Sequence, residues 1–572
     1  MAVLALVSIF AIGAVAQESS WEVENSWEAS PFELSALLLE IEGAMGHDMR
    51  VDVEKRLPEI EEKLQPKFVA LGRNEHGNLA EPAVRYMLHR YFVQQRAWVV
   101  KGLDSGGEAW NASSPLELLR GQMSDAAVDV FRKRLMSTGF GLRDAAALAA
   151  TIEGLVYRET VSTVSDIYKV LGFPIDRTVA PADVDTVLGT YVASLVLQVN
   201  ISHIARRIRG KNLVDRSHLF AYVGSLRKEL GEVWPAWTKT REFLRELRER
   251  SAPTGTFVHF SGVMTIMSQF LDRWGRWRYF ECADIKRKLL DIEDEHSGCV
   301  RLADFYRSHT EKGVWQFAES AAFLRDQGIL DEANPNDPHL IVPNYVNANG
   351  NCLASSKYYS VCCLNECENL LDFIGQHVRA PEAAPERIAA AVASLPVELP
   401  AARAIGHEEM QLLHAIGRSH GGVVPLHGRL FAQWMHRVFP RDCPYPHVSG
   451  RYWHEVIWEY EARKAAYGTV SLSEARESVG NLTQQTQTVE PGTKESTCMQ
   501  WQAVEELVVP FRPPKTLAEL EDDAEVWRSL GCLAMFTSTL AMGLVSWRTC
   551  RDTTRIMRRR GSPKKLTPAV LV

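Results

Sequence analysis

Eight cysteines lie between Cys282 and Cys498, and the chain before Cys282 contains none. Four of them, Cys352, Cys362, Cys363 and Cys367, crowd into NCLASSKYYSVCCLNECENLL at 351–371. At that density thiols mean a disulfide framework in an oxidising compartment, and metal ligands or reactive groups in a reducing one. The fold open to this chain therefore depends on its address.

The two ends supply one. Ala2 to Val15 is apolar and uncharged, and Ala14-Val15-Ala16 offers the small residues of a cleavage site. This predicts a signal peptide over 1–16 and a mature chain from Gln17, although no Lys or Arg precedes the apolar run. Near the other end Ser529–Trp547 (SLGCLAMFTSTLAMGLVSW) carries no charge. As a helix it would rise roughly 28 Å, close to the hydrocarbon thickness of a bilayer. Glu519, Glu521, Asp522 and Asp523 precede it, while Arg548, Arg551, Arg555 and Arg558 open a basic tail over 548–572. The basic side stays cytosolic, so a single-pass protein of the secretory pathway or plasma membrane is expected, with its N-terminus lumenal or extracellular. The tail suits anionic lipid headgroups. Asn111, Asn200 and Asn481 each open an Asn-x-Ser/Thr sequon, as an exposed glycoprotein would require.

With that address, Cys282, Cys299, Cys352, Cys362, Cys363, Cys367, Cys443 and Cys498 read as disulfides. Spacing leaves the connectivity open, except that adjacent Cys362 and Cys363 need separate partners because a bond between neighbours strains the backbone. No C-x-x-C occurs to support zinc.

Apolar residues recur at i, i+3, i+4 and i+7 over 32–46, 79–100, 115–136, 142–171, 181–209 and 237–249. In the second run Val84, Met87, Leu88 and Tyr91 line one face. Strand alternation is scarce. The expected fold is mostly α: a cysteine-free helical part over 17–250 and a disulfide-stapled helical part over 256–470. A polar stalk over 471–528 and one transmembrane helix over 529–547 follow. Ser251-Ala-Pro-Thr-Gly-Thr marks the inner boundary, and the Ala/Pro-rich 379–406 holds one short helix. A net charge of −7, with no basic stripe interleaved with aromatics, argues against nucleic-acid binding.

Two segments carry the spacing of an EF-hand loop. In DIEDEHSGCVRLADF (291–305), placing Gly298 at the tight turn puts Glu293, Glu295 and Ser297 at oxygen-ligand positions, with Val300 at the apolar position and Asp304 last. A main-chain carbonyl near Cys299 would complete a calcium set. Glu293 is bulky for the first position and Asp304 short for bidentate capture, so weak binding is expected. In GRNEHGNLAEPAV (72–84), Asn74, His76, Gly77 and Leu79 fit the scaffold, but Ala83 stands where the last ligand belongs. The expected elements are helix–loop–helix units.

His407, His414, His420, His427, His436, His447 and His454 fall close together, which raises a metal-dependent hydrolase. His407-Glu408-Glu409-Met410-Gln411 lacks the second histidine of H-E-x-x-H. No G-x-S-x-G elbow or P-loop occurs, and Gly139-Phe-Gly141-Leu-Arg-Asp144 has two of the three glycines of a dinucleotide loop. No catalytic residue is assigned.

VPNYVNANGNCLASSKYYSVCCLNECENLL (342–371) and VPLHGRLFAQWMHRVFPRDCPYPHVSG (424–450) resemble an uncharacterised family of predicted single-pass membrane proteins of dinoflagellates and related alveolate protists, with degenerate EF-hand-like segments. The resemblance implies an ectodomain architecture and no activity. The expected function is a membrane-anchored binding or interaction ectodomain for a protein or glycan ligand, weakly calcium-binding. The competing reading is a secretory-pathway metal-dependent hydrolase built on the 407–454 histidines.

Overall fold

The computed structural model describes residues 47–103, 132, 138–196, 233–252, 255–312, 317–352, 354–400, 405–448, 468–485 and 498–507. The expected signal peptide, membrane span and basic tail lie outside these residues, as do Asn111 and Asn200. Among the described residues no helix is long and apolar enough to cross a membrane.

Helices dominate because the apolar stripes are helical in period. In α1 (His47–Val69), Leu57, Ile60, Leu64 and Phe68 are buried along one face. Helix α2 (Glu81–Arg96) carries Pro82 in its first turn and buries Val84, Met87, Leu88 and Tyr91, the predicted face, before Ala97 ends it in the left-handed region. Helix α3 (Leu142–Leu171) has the predicted limits, and its run from Ala145 to Ala150 is fully enclosed, the small side chains allowing close helix contact. Gly141 caps it, its N–H donating to Asp144 at 3.0 Å, so the apparent dinucleotide loop is a helix start. Next come α4 (Pro181–Val196), α5 (Val233–Ser251) and the 31-residue α6 (Phe260–Leu290). Gly275 lets α6 pass over the end of α2: a Cβ there would lie 2.0 Å from the Arg96 carbonyl oxygen.

The second half continues with α7 (Leu302–Lys312), α8 (Ala321–Asp326), α9 (Val342–Val346), α10 (Cys367–Val378), α11 (Pro385–Ala393), α12 (His407–Ser419), α13 (Arg429–Val438) and α14 (Leu472–Gln485). Among the described residues eight short strands accompany them. Strand β1 (Trp98–Val100) pairs antiparallel with β6 (Tyr359–Val361), and β5 (Ala354–Ser355) flanks β6. Trp98 and Tyr359 meet across that pair, their ring centres 4.4 Å apart.

Apart from the Gly428–Leu507 bridge, the remaining strands and bridges share one plan. Leu79 and Phe140 exchange both main-chain hydrogen bonds, at 2.8 and 2.9 Å, and so do Val179 and Val258, at 2.9 and 3.0 Å. Strand β2 (Cys299–Arg301) pairs with β4 (His339–Ile341), which β3 (Leu330–Asp331) extends. Glu319 bridges Thr469, and β7 (Glu382–Ala383) pairs with β8 (Val424–Pro425). Among the described residues these are five antiparallel pairs of loops, and a helix starts within four residues of every paired segment except β3. Each pairing, of one to three residues per segment, joins two loops back to back.

Three cores result. The first runs from Leu57 to Trp274 and takes in Tyr358, Tyr359 and Val361. The second gathers Cys282 to Val346 with Cys363, Val470 and Ala475. The third joins Leu370 to Cys443. This corrects two expected boundaries. Residues 251–256 do not divide the described residues into two parts, because Val258 bonds Val179 inside the first core and α6 runs on into the second. Nor is all of 471–528 a stalk. Helix α14 packs on α7 through Ala475 and Val479, and residues 498–507 lie along α13. A polar segment needs only one apolar stripe to dock, and composition averages that stripe away.

The eight cysteines form four disulfides: Cys282–Cys363, Cys299–Cys498, Cys352–Cys362 and Cys367–Cys443. Neighbours Cys362 and Cys363 take separate partners, as expected. Cys282–Cys363 ties α6 to the cysteine-rich segment, and Cys367–Cys443 ties α10 to the chain leaving α13.

Candidate functional site

The loop between α6 and α7 has the predicted turn but not the predicted ligand set. Glu295 and His296 both take positive φ (44° and 60°), and Gly298 takes 75°. A Cβ on Gly298 would fall 2.0 Å from the Pro440 carbonyl oxygen, so only glycine lets the loop seat against residues 440–441. Into that contact projects Arg441. Its guanidinium pairs with both carboxylate oxygens of Glu293, with Nε–Oε2 at 3.2 Å, and donates to Nδ1 of His296. The Glu293 side chain is only 4% exposed, so its charge is met by this guanidinium and by the Gly298 N–H at 3.1 Å.

The other expected calcium donors are spent elsewhere. Asp304 lies in the first turn of α7, where a carboxylate suits the helix dipole, and pairs with Arg307 at 2.8 Å. Ser297 Oγ accepts the Cys299 N–H at 3.2 Å, and the Cys299 carbonyl accepts the Asp294 N–H at 2.9 Å. Glu295 is exposed. Among the described residues no three His, Cys, Asp or Glu side chains stand together as metal ligands. The expected donors therefore do not fit a calcium ion: an arginine from a distant segment supplies the positive charge in the loop. In the 72–84 loop an asparagine does similar work. Asn74 Oδ1 accepts the N–H groups of His76 and Asn78, both at 3.0 Å, and its Nδ2 reaches the Thr138 carbonyl of the partner loop at 2.8 Å.

Adding calcium to the full-length protein is accordingly expected to leave its unfolding midpoint unchanged up to the millimolar range. Replacing Arg441 with Ala should destabilise the fold by about 1–3 kcal/mol, because Glu293 keeps its burial and loses its counter-charge. Calorimetry in calcium and in chelator checks both statements. A rise of several degrees on adding calcium to the unmodified chain would show that the loop does take the ion.

Arg441 is one of three consecutive residues that latch different elements. Asp442 accepts from Lys286 of α6 at 2.6 Å, and Lys286 also reaches Glu366 at 2.5 Å. Burial, together with the nearby Asp442, pushes the Glu366 carboxyl up to about 8. Cys443 closes the disulfide to Cys367. No ligand or catalytic motif marked this segment, because each partner lies at least 76 residues away.

The histidines disperse. His427 donates to the Ala70 carbonyl at 2.9 Å and stands edge-on to Tyr86, and burial with Arg90 nearby pushes it down to about 3. His436 donates to the Cys443 carbonyl at 2.7 Å and is pushed down to about 4 by burial. His447 donates to the Gly328 carbonyl at 2.6 Å, and His420 lies 3.4 Å from Glu505. His407 accepts from Gln411, and His414 lies 3.7 Å from Glu386. His454 lies outside the described residues. The six histidines of this series among the described residues thus have separate partners rather than forming a ligand cluster.

An enclosed ionic cluster was also unmarked by any motif. Arg90 of α2, its side chain 2% exposed, pairs with Glu368 and, at 2.8 Å, with Asp372 on α10. Lys67 of α1, equally enclosed, reaches Asp372 and the Gln94 amide oxygen, both at 2.6 Å. This cluster fastens the first core to the third. No protein-family model, curated protein or solved structure matches the chain.

Proposed function

We propose that the chain is a membrane-anchored binding ectodomain, assembled from EF-hand-like paired units that side-chain ion pairs and disulfides hold closed. The observation that carries this reading is the set of five back-to-back loop pairs, with Arg441 seated among the would-be ligands of one of them. A scaffold closed by its own arginine needs no ion and does not open on ion binding, which favours a fixed recognition surface over a switch. Four disulfides suit an oxidising exterior. The apolar Ser529–Trp547 followed by a run of arginines supports the anchor and its orientation. The metal-hydrolase reading has no comparable support, since the described histidines are far apart in their partners.

Alkaline carbonate is expected to leave the protein in the membrane pellet, and protease added to sealed vesicles should trim only the end near Arg548–Val572. Release into the soluble fraction would remove the anchor. Stoichiometric zinc in the purified chain, with hydrolysis that a chelator abolishes, would replace the binding reading by the enzymatic one.

A further inference from the structure

A cleft of 410 Å³ lies where α1, α2 and α6 meet over α3, away from the loop and the histidines. Beneath it sits Glu153 of α3, its side chain 2% exposed. Its carboxylate holds Arg56 of α1 at 2.5 Å and Arg96 of α2 at 3.2 Å, and accepts from the Tyr91 hydroxyl at 3.3 Å. Asp272 of α6 takes Arg96 Nη1 at 2.6 Å from the side. Two guanidinium planes are thereby fixed before any ligand arrives, which removes much of the ordering cost of binding. Across the opening Arg276 donates to the Gln95 amide oxygen at 2.8 Å, and Lys63 pairs with Glu59.

Every residue lining the cleft is polar, Ser268 completing the set. Four cations face two carboxylates there, and Glu153 below offsets one more charge, so a single positive charge remains on a chain whose net charge is −7. We infer that this cleft binds an acidic saccharide, one carboxylate or sulfate group of the sugar lying against the fixed guanidiniums. A single anionic group balances the charge. Ring hydroxyls, which both donate and accept, suit the interleaved donors (Arg276, Lys63, Ser268) and acceptors (Glu59, Gln95, Asp272). A densely charged polyphosphate would meet Glu59 and Asp272 unfavourably. A peptide would bring apolar side chains, and no apolar side chain lines the cleft.

This inference rests on the binding reading above and can fail separately from it. The full-length protein in detergent micelles is titrated calorimetrically with oligogalacturonate, a sulfated galactan oligosaccharide, a neutral galactan oligosaccharide of equal length and a glutamate-rich peptide. The carboxylated or the sulfated sugar should bind at least about 10-fold more tightly than the neutral one, and the two arms decide which group is read. Arg276→Gln and Lys63→Gln, both at the rim, should each weaken that binding by about 10-fold while the unfolding midpoint stays put. Equal affinity for the neutral sugar, binding of the peptide in place of the sugars, or no binding at all would overturn the inference. Saccharide binding that both substitutions leave intact would overturn the cleft and leave a binding ectodomain standing. Cleavage of the oligosaccharides would instead count against the binding reading.

Discussion

Replacing Arg90 with Met is expected to lower the stability of the fold by about 3–5 kcal/mol, the usual cost of removing one partner from an enclosed ion pair. Burial alone would depress the Arg90 charge, but the carboxylates of Glu368 and Asp372 raise its pKa above that of a free guanidinium. Once it is gone, Glu368 and Asp372, 15% and 12% exposed, are left with Lys67 alone. The lysine cannot serve both, since it already divides its protons between Asp372 and Gln94. Because the cluster links α1 and α2 to α10, the loss should be felt at both ends of it. Adding Glu368→Leu to Arg90→Met should recover part of the stability, as the orphaned carboxylate is removed with its partner. Urea denaturation of the single and double variants, with disulfides intact, measures this. A single variant within about 1 kcal/mol of the parent would show that water reaches the carboxylates easily.

The second large effect is expected at Cys299–Cys498. Changing both cysteines to Ser opens a loop closed over 199 residues and should cost about 2–5 kcal/mol. The loss has a definite location. Residues 498–507 are held by the bond, by Arg429 donating to the Val504 carbonyl at 2.9 Å, and by Gln433 donating to the Gln502 carbonyl at 2.8 Å. Without the covalent tie, those hydrogen bonds must hold a segment that has no helix of its own. Hydrogen exchange over 498–507 should therefore accelerate well before that of α13. Uniform acceleration along the whole chain, or none at all, would contradict this account.

How much of this was legible in the residues depended on range. Helix α3 could be read to its end residues because its period is continuous over 30 positions and glycines stand at both caps. The 72–79 turn was equally visible, since Gly77 and Leu79 carry its geometry locally. Disulfides followed from the number of cysteines and the chain's ends, although not their partners. The loop pairs were hidden, because each depends on one residue such as Phe140 or Val258 finding its mate tens of residues away. Glu293 looked like a calcium ligand for the same reason: its true partner, Arg441, lies 148 residues further on. The cleft residues Arg56, Arg96 and Asp272 belong to three helices whose exposed charges resemble any solvated face until they converge.

The long span of Cys299–Cys498 also sets an order of events during synthesis. At roughly 5–20 residues per second, the second thiol leaves the ribosome roughly 10–40 s after the first. Through that interval Cys299 is translated alongside Cys352, Cys362, Cys363 and Cys367, all of which emerge before its mate. Each is a nearer target for a waiting thiol, so early cross-links are favoured by proximity and must later be exchanged. Thiol reshuffling is therefore expected during maturation of this chain, and a catalyst of disulfide exchange should speed its folding more than a chaperone that only shields apolar surface.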